Sequence, residues 1–88
     1  MTLAQLKYFC KTVESDKISK AAKELKVSQP SVTVAIKDLE TELGVSLFIR
    51  EKNRITPSRE GMYFYSKIVM VLQDIDLAVG EVKIMSKD

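Results

Sequence analysis

The chain has 88 residues, 45% of them hydrophobic and 30% charged, with a net charge of +2, the balance of one small globular domain and not of a disordered or membrane-spanning segment. It contains no histidine and one cysteine, Cys10, which excludes an intrachain disulfide, a plausible zinc set and histidine-based catalysis. At this length a chain buries roughly 60 to 65% of its unfolded surface, so contact with a second chain would add useful burial.

Thr2 and Gln5 form a capping-box pattern, and Leu3, Leu6, Phe9, Cys10 and Val13 recur at helical spacing, which predicts a first helix ending at Val13 or Glu14. Cys10 then falls in a buried, unreactive position. The polar break at 14–17 leads into a second helix over about 18–26, in which Ala21, Ala22 and Leu25 make a small apolar face. Residues 26–28 supply a turn. Val32, Ile36, Leu39 and Leu43 follow at spacings of four, three and four, so one stripe of a third helix, about 29–43, is core. Ser28 or Gln29 can cap it, Pro30 lies in its first turn, and Gly44 stands just past its end.

Segments 47–50 and 54–56 flank the polar residues 51–53 and read as a short two-stranded hairpin. Pro57-Ser58 ends the ribbon, and Ser58 can cap a final helix running to about Met85. Within it Tyr65, Ile68, Leu72, Ile75, Val79 and Val82 are spaced 3, 4, 3, 4, 3, the seam of a coiled coil. Such a helix extends about 40 Å, longer than so small a domain needs, and invites a partner. The alternative is that the stripe folds back on the chain's own core.

Three helices and a short wing, then a long linker or dimerisation helix, define an all-α dominated winged helix-turn-helix, a layout that places the third helix in the DNA major groove. The expected division is a DNA-binding domain over 1–57 and a linker helix over 58–88. Charge follows it: residues 1–57 carry ten Lys/Arg against seven Asp/Glu, whereas 58–88 carry four against five. Gln29 can read an adenine edge bidentately, Ser31 and Thr33 can reach bases or phosphates, and Lys20 and Lys37 suit phosphates. Gln29 and Ser31 could instead merely terminate the helix, and the lysines could be merely solvated. Arg50, Lys52, Asn53 and Arg54 cluster on the wing, where a narrow minor groove would attract them; Arg50 could also serve a structural ion pair, and the cluster could simply keep the hairpin soluble.

These residues resemble the N-terminal DNA-binding domain of LysR-type bacterial transcriptional regulators. The resemblance runs from residue 2 to about 85 and rests on linked motifs: Leu6, Phe9 and Val13; Ser19-Lys20-Ala21-Ala22 with Leu25; Val27 to Thr33; Ile36, Leu39, Glu40 and Leu43-Gly44-Val45 with Leu47, Phe48 and Arg50; and Thr56-Pro57-Ser58 with Gly61. It implies that Gln29, Pro30, Thr33 and Val34 face the groove, with Ser28 among the backbone contacts. It also implies a homodimer through paired linker helices on an interrupted dyad operator in double-stranded DNA; whether a full-length parent goes on to a tetramer is left open by the sequence. Members of the family carry a further effector domain, so the chain is expected to be an excised piece; a small-molecule effector would act only through that absent domain, and no cofactor is implied here.

Two departures from the family pattern stand out. Lys17 replaces the serine that usually caps the second helix, so that helix should start less firmly or be capped by Asp16. Val34 and Ala35 stand where Arg, Lys or Gln are common, and an outward Val34 suits a thymine methyl. Glu40, Glu42, Asp74, Asp76 and Glu81 read as solvated faces. With no glycine-rich phosphate loop and no activated nucleophile an enzyme is not expected. The rival reading is a helical protein-interaction module without DNA readout. No leader and no apolar run of membrane length appear, so a cytoplasmic protein with no membrane partner is expected.

Overall fold

Capping sets the start of the first helix. In the computed structural model, which describes residues 1–52 and 54–87, α1 spans Leu3–Ser15. The Thr2 hydroxyl accepts from the Gln5 N–H at 3.1 Å while the Gln5 side chain accepts from the Thr2 N–H at 3.0 Å. Helix α1 runs slightly past its expected end and closes on Asp16, whose φ of 63° is left-handed. Asp16 therefore does not cap the next helix. Helix α2, Ile18–Leu25, begins at Lys17 with no side-chain cap bond and stops one residue early, because Lys26 turns left-handed at φ 61°.

Helix α3, Gln29–Leu43, follows the expected bounds: the Ser28 hydroxyl accepts from the Ser31 N–H at 3.2 Å, and Gly44 ends it at φ 72°. The wing pairs β1, Phe48–Glu51, with β2, Arg54–Pro57, in antiparallel register, with Arg50 opposite Ile55 and Glu51 opposite Arg54. Helix α4, Arg59–Met85, then carries the chain away from the head, giving a body of 53 × 24 × 19 Å. No helix among the described residues is long and apolar enough to cross a membrane.

The core gathers where α1, α3, the wing base and α4 meet. Phe9, Val32, Ile36 and Leu39 are fully buried, and the Phe9 ring lies 5.6 Å from that of Phe48 and 5.4 Å from that of Phe64. Leu43, read as the last residue of the α3 stripe, is 37% exposed and leaves the core. Thr12 was unforeseen there; it is buried with its hydroxyl donating to the Tyr8 carbonyl at 2.8 Å. Cys10 is buried as expected. The α4 seam divides. Tyr65, Ile68 and Leu72 pack on this core beside Phe64 and Val69, Ile75 is half-buried, and Val79 and Val82 are exposed.

A polar clasp around Ser46 and Leu47 joins α3, the wing and α4. The Leu47 N–H donates to the Glu40 carboxylate at 2.8 Å, the Ser58 N–H donates to the Leu47 carbonyl at 2.9 Å, and the Ser58 hydroxyl donates to the Ser46 carbonyl at 2.6 Å. Ser58 also caps α4 by accepting from the Gly61 N–H at 3.0 Å. Glu40 is thus a latch and not a solvated acid, and Glu42 pairs with the Met1 amine at 2.7 Å. Gly61 is buried against the clasp, and a Cβ there would overlap the Leu47 carbonyl oxygen.

Because backbone lies on the far side of that overlap, Gly61→Ala must push α4 off the head. It should destabilise the domain by about 1–3 kcal/mol or more, read as a lowered urea midpoint, whereas Gly80→Ala, where added bulk meets nothing, should not.

Burial and the nearby Glu14 charge push the Cys10 thiol from 9.0 up to about 11. The Tyr65 hydroxyl, donating to Glu14 at 2.8 Å and partly desolvated, is pushed from 10.0 up to about 12. Both folded values lie above the unfolded ones, so the fold favours the protonated groups. Their stabilisation is complete below about pH 9 and fades as pH rises through 11 to 12. Urea midpoints should therefore fall across that window, and Tyr65→Phe should make the fall shallower.

Candidate nucleic-acid interface

Helix α3 is anchored on one side and open on the other. Val32, Ile36 and Leu39 face inward, and Ala35 is also buried, at 7% exposure, so Ala35 presents little to a ligand. Val34 is 56% exposed, and Gln29, Pro30, Ser31 and Lys37 are exposed with it; Thr33 is half-buried. The Ser28 and Ser31 hydroxyls lie 2.8 Å apart and share the cap of α3, which holds both at the start of the helix.

The wing brings its cations against that start. In a strand, residues two apart share a face, so Arg50 lies on the same side as buried Phe48 and opposite Ile55. A cleft of about 270 Å³ opens between α2, α3 and the wing, lined by Gln29, Lys17, Arg50, Lys52, Arg54 and Ile55, and among the described residues no carboxylate lines it. Among the described residues Arg50 has no ion-pair partner, which leaves its charge for a ligand. Lys52 turns the wing at φ 51°; Asn53 lies outside the described residues. Lys20 is not in this cleft but lines a neighbouring one with Lys17 and Arg54. The other flank of α3 has a shallow hollow of about 440 Å³ lined by Gln5, Pro30, Ser31, Val34 and Asp38.

Gln5, Asp38 and Lys17 were not singled out as site residues from the sequence. For Gln5 and Asp38 no local pattern marks a contribution to α3's flank, since that depends on how α1 packs. Lys17 did carry a signal, as a cation where a helix cap belongs. No group of potential metal ligands occurs among the described residues.

A helix pair braced by a third helix, with an outward-facing second member and a cationic β-ribbon beside it, defines a winged helix-turn-helix. Residues 3–62 match the family model for bacterial regulatory helix-turn-helix proteins of the lysR family, and the chain belongs to that family. It is 35% identical over 94% of its length to the HTH-type transcriptional regulator BenM of Acinetobacter baylyi, covering 27% of that regulator. Against the HTH-type transcriptional regulator BsdA of Bacillus subtilis the identity is 37% over the whole chain and 31% of the relative. The chain thus spans about a third or less of these curated relatives. Among solved structures, the BenM DBD/catB site 1 DNA complex superposes with a TM-score of 0.95 at 33% identity, covering 100% of this chain and 98% of that one.

Proposed function

We propose that this chain is the sequence-specific, double-stranded DNA-binding part of a bacterial transcriptional regulator, with α3 in the major groove and the wing at the minor groove or backbone. The observation that carries this reading is the acid-free cationic cleft opening at the start of an outward-facing α3. A DNA complex of a relative with nearly the same backbone supports it. Gln29, Pro30, Thr33 and Val34 read bases; Lys20, Ser28, Ser31 and Lys37 meet the backbone; Arg50, Lys52, Asn53 and Arg54 act from the wing. The action belongs to the compartment that holds bacterial DNA, the cytoplasm, and involves no catalysis.

Residues 1–57 form the reading head and 58–88 the dimerisation helix, although α4 as far as Leu72 also completes the head's core. Since Tyr65, Ile68 and Leu72 are engaged there, only Ile75, Val79 and Val82 of that seam remain, and pairing in a homodimer relies instead on a second stripe on the opposite side of α4. That stripe is Tyr63, Met70, Leu77 and Ile84, seven residues apart and all exposed. Effector control, and any assembly beyond the dimer, belong to the rest of the full-length protein.

If Gln29 reads an adenine edge, Gln29→Ala should cost about 1–3 kcal/mol at the preferred site and relax preference at one base step per half-site. Equal loss on all duplexes in a binding titration would reassign Gln29 to the backbone.

Leu77→Glu with Ile84→Glu should yield a folded monomer in sedimentation equilibrium, with each lost apolar contact costing about 1.5–3 kcal/mol and counted twice by two-fold symmetry. Tight binding to a dyad with half-sites about one helical turn apart should be lost and weak single-site binding kept. Leu72→Glu should instead unfold the head, seen as lost helical circular dichroism.

A further inference from the structure

The start of α2 is charged the wrong way for its own stability. Lys17 occupies the N-cap position with no acceptor to offer, Lys20 follows in the first turn, and no acidic residue is present there. A helix N-terminus favours negative charge and opposes cations. Folding alone thus gives no reason for two lysines at this place. Neither Lys17 nor Lys20 forms an ion pair among the described residues, and Arg54, reaching toward them from the wing, forms none either.

These side chains converge. Lys17 and Arg54 line both the cleft that opens on Gln29 and a second cleft of about 520 Å³ shared with Lys20, Ser15 and Asp16. Among the described residues Asp16 is the one carboxylate in either lining; it is exposed and makes no ion pair there with the three cations. Lys17 stands on the ridge where the two clefts meet, so a cationic track continues from the start of α3 past the wing to the start of α2.

We infer that Lys17, Lys20 and Arg54 form a seat for a phosphodiester of the DNA backbone, in which Lys17 is a contact residue in its own right and Arg54 grips the strand from the wing. The inference rests on the DNA-binding reading and adds Lys17 to it. A diester linkage suits the seat because it carries one diffuse negative charge per residue of strand, which point-charge lysines and a planar guanidinium can straddle without base readout.

The test compares wild type, Lys17→Ala, Lys17→Arg, Lys17→Ser and the Lys17→Ala/Arg54→Ala pair on a selected operator duplex and on a random duplex, across a series of salt concentrations. Each lost phosphate contact should reduce the slope of log K against log salt by about 0.9. Lys17→Ala should show one such step and the pair about two, with equal weakening on both duplexes; Lys17→Arg should keep the wild-type slope. Lys17→Ser separates charge from capping: it should raise thermal stability by restoring a cap while still losing the slope. A steep wild-type slope left unchanged by Lys17→Ala overturns the seat and leaves the DNA-binding reading standing. Loss of affinity on the operator alone also overturns it, as that marks base readout. A wild-type protein with no salt-dependent DNA binding overturns both.

Discussion

The peptide between Ser46 and Leu47 is the joint on which the rest of the molecule turns. Its N–H is held from α3 by the Glu40 carboxylate and its carbonyl from the start of α4 by the Ser58 hydroxyl, while the Ser58 N–H grips the next carbonyl along, that of Leu47. Charge-assisted and buried hydrogen bonds of this kind are stronger than exposed ones, and losing one partner strands the other. The joint sets the direction in which α4 leaves the head, and that direction in turn sets where its exposed distal stripe points. Gly61 belongs to the same device, because only a residue without a Cβ lets α4 lie against the Leu47 carbonyl.

Around that joint the chain separates rigidity from recognition. The inner side of α3 is locked by Val32, Ile36 and Leu39 against Phe9 and its aromatic neighbours, so the outer side is presented by a helix that cannot roll. Recognition groups on a packed helix keep their geometry better than groups on a free loop. The wing uses the opposite economy. Ile55 and Phe48 pin its base in the core, while its cations reach back toward α2 and α3. Electrostatic attraction tolerates such reach because it depends on distance more than on angle.

Helix α4 serves two surfaces in succession. Its first turns complete the head's core through Phe64, Tyr65, Ile68, Val69 and Leu72, and its last turns present Leu77, Val79, Val82, Ile84 and Met85 to solvent. Large apolar side chains left exposed along one protruding helix are a liability unless a second surface covers them. A single rigid helix shared by both surfaces links the placement of its exposed distal end to the integrity of the head.

What the sequence by itself determined was local: the capping box at Thr2, the cap serine at Ser58, the glycine stop at Gly44, the proline at the start of α3, and the apolar spacing that placed every helix within a residue or two. These are short-range effects, decided by hydrogen-bond donors and side chains a few residues apart, so they can be read along the chain. The tertiary structure alone decided what lies opposite what. A helical period cannot tell which of two apolar stripes on α4 meets its own core, so Tyr65, Ile68 and Leu72 went to the head. A charge pattern cannot show that Glu40 bends back to Leu47, that Asp16 closes α1 and does not cap α2, or that Arg54 and Lys17 share a cleft. Arg54 and Lys17 are far apart in sequence and only packing brings them within reach, while Glu40 and Asp16 act over seven residues or fewer, where spacing alone leaves more than one backbone path open.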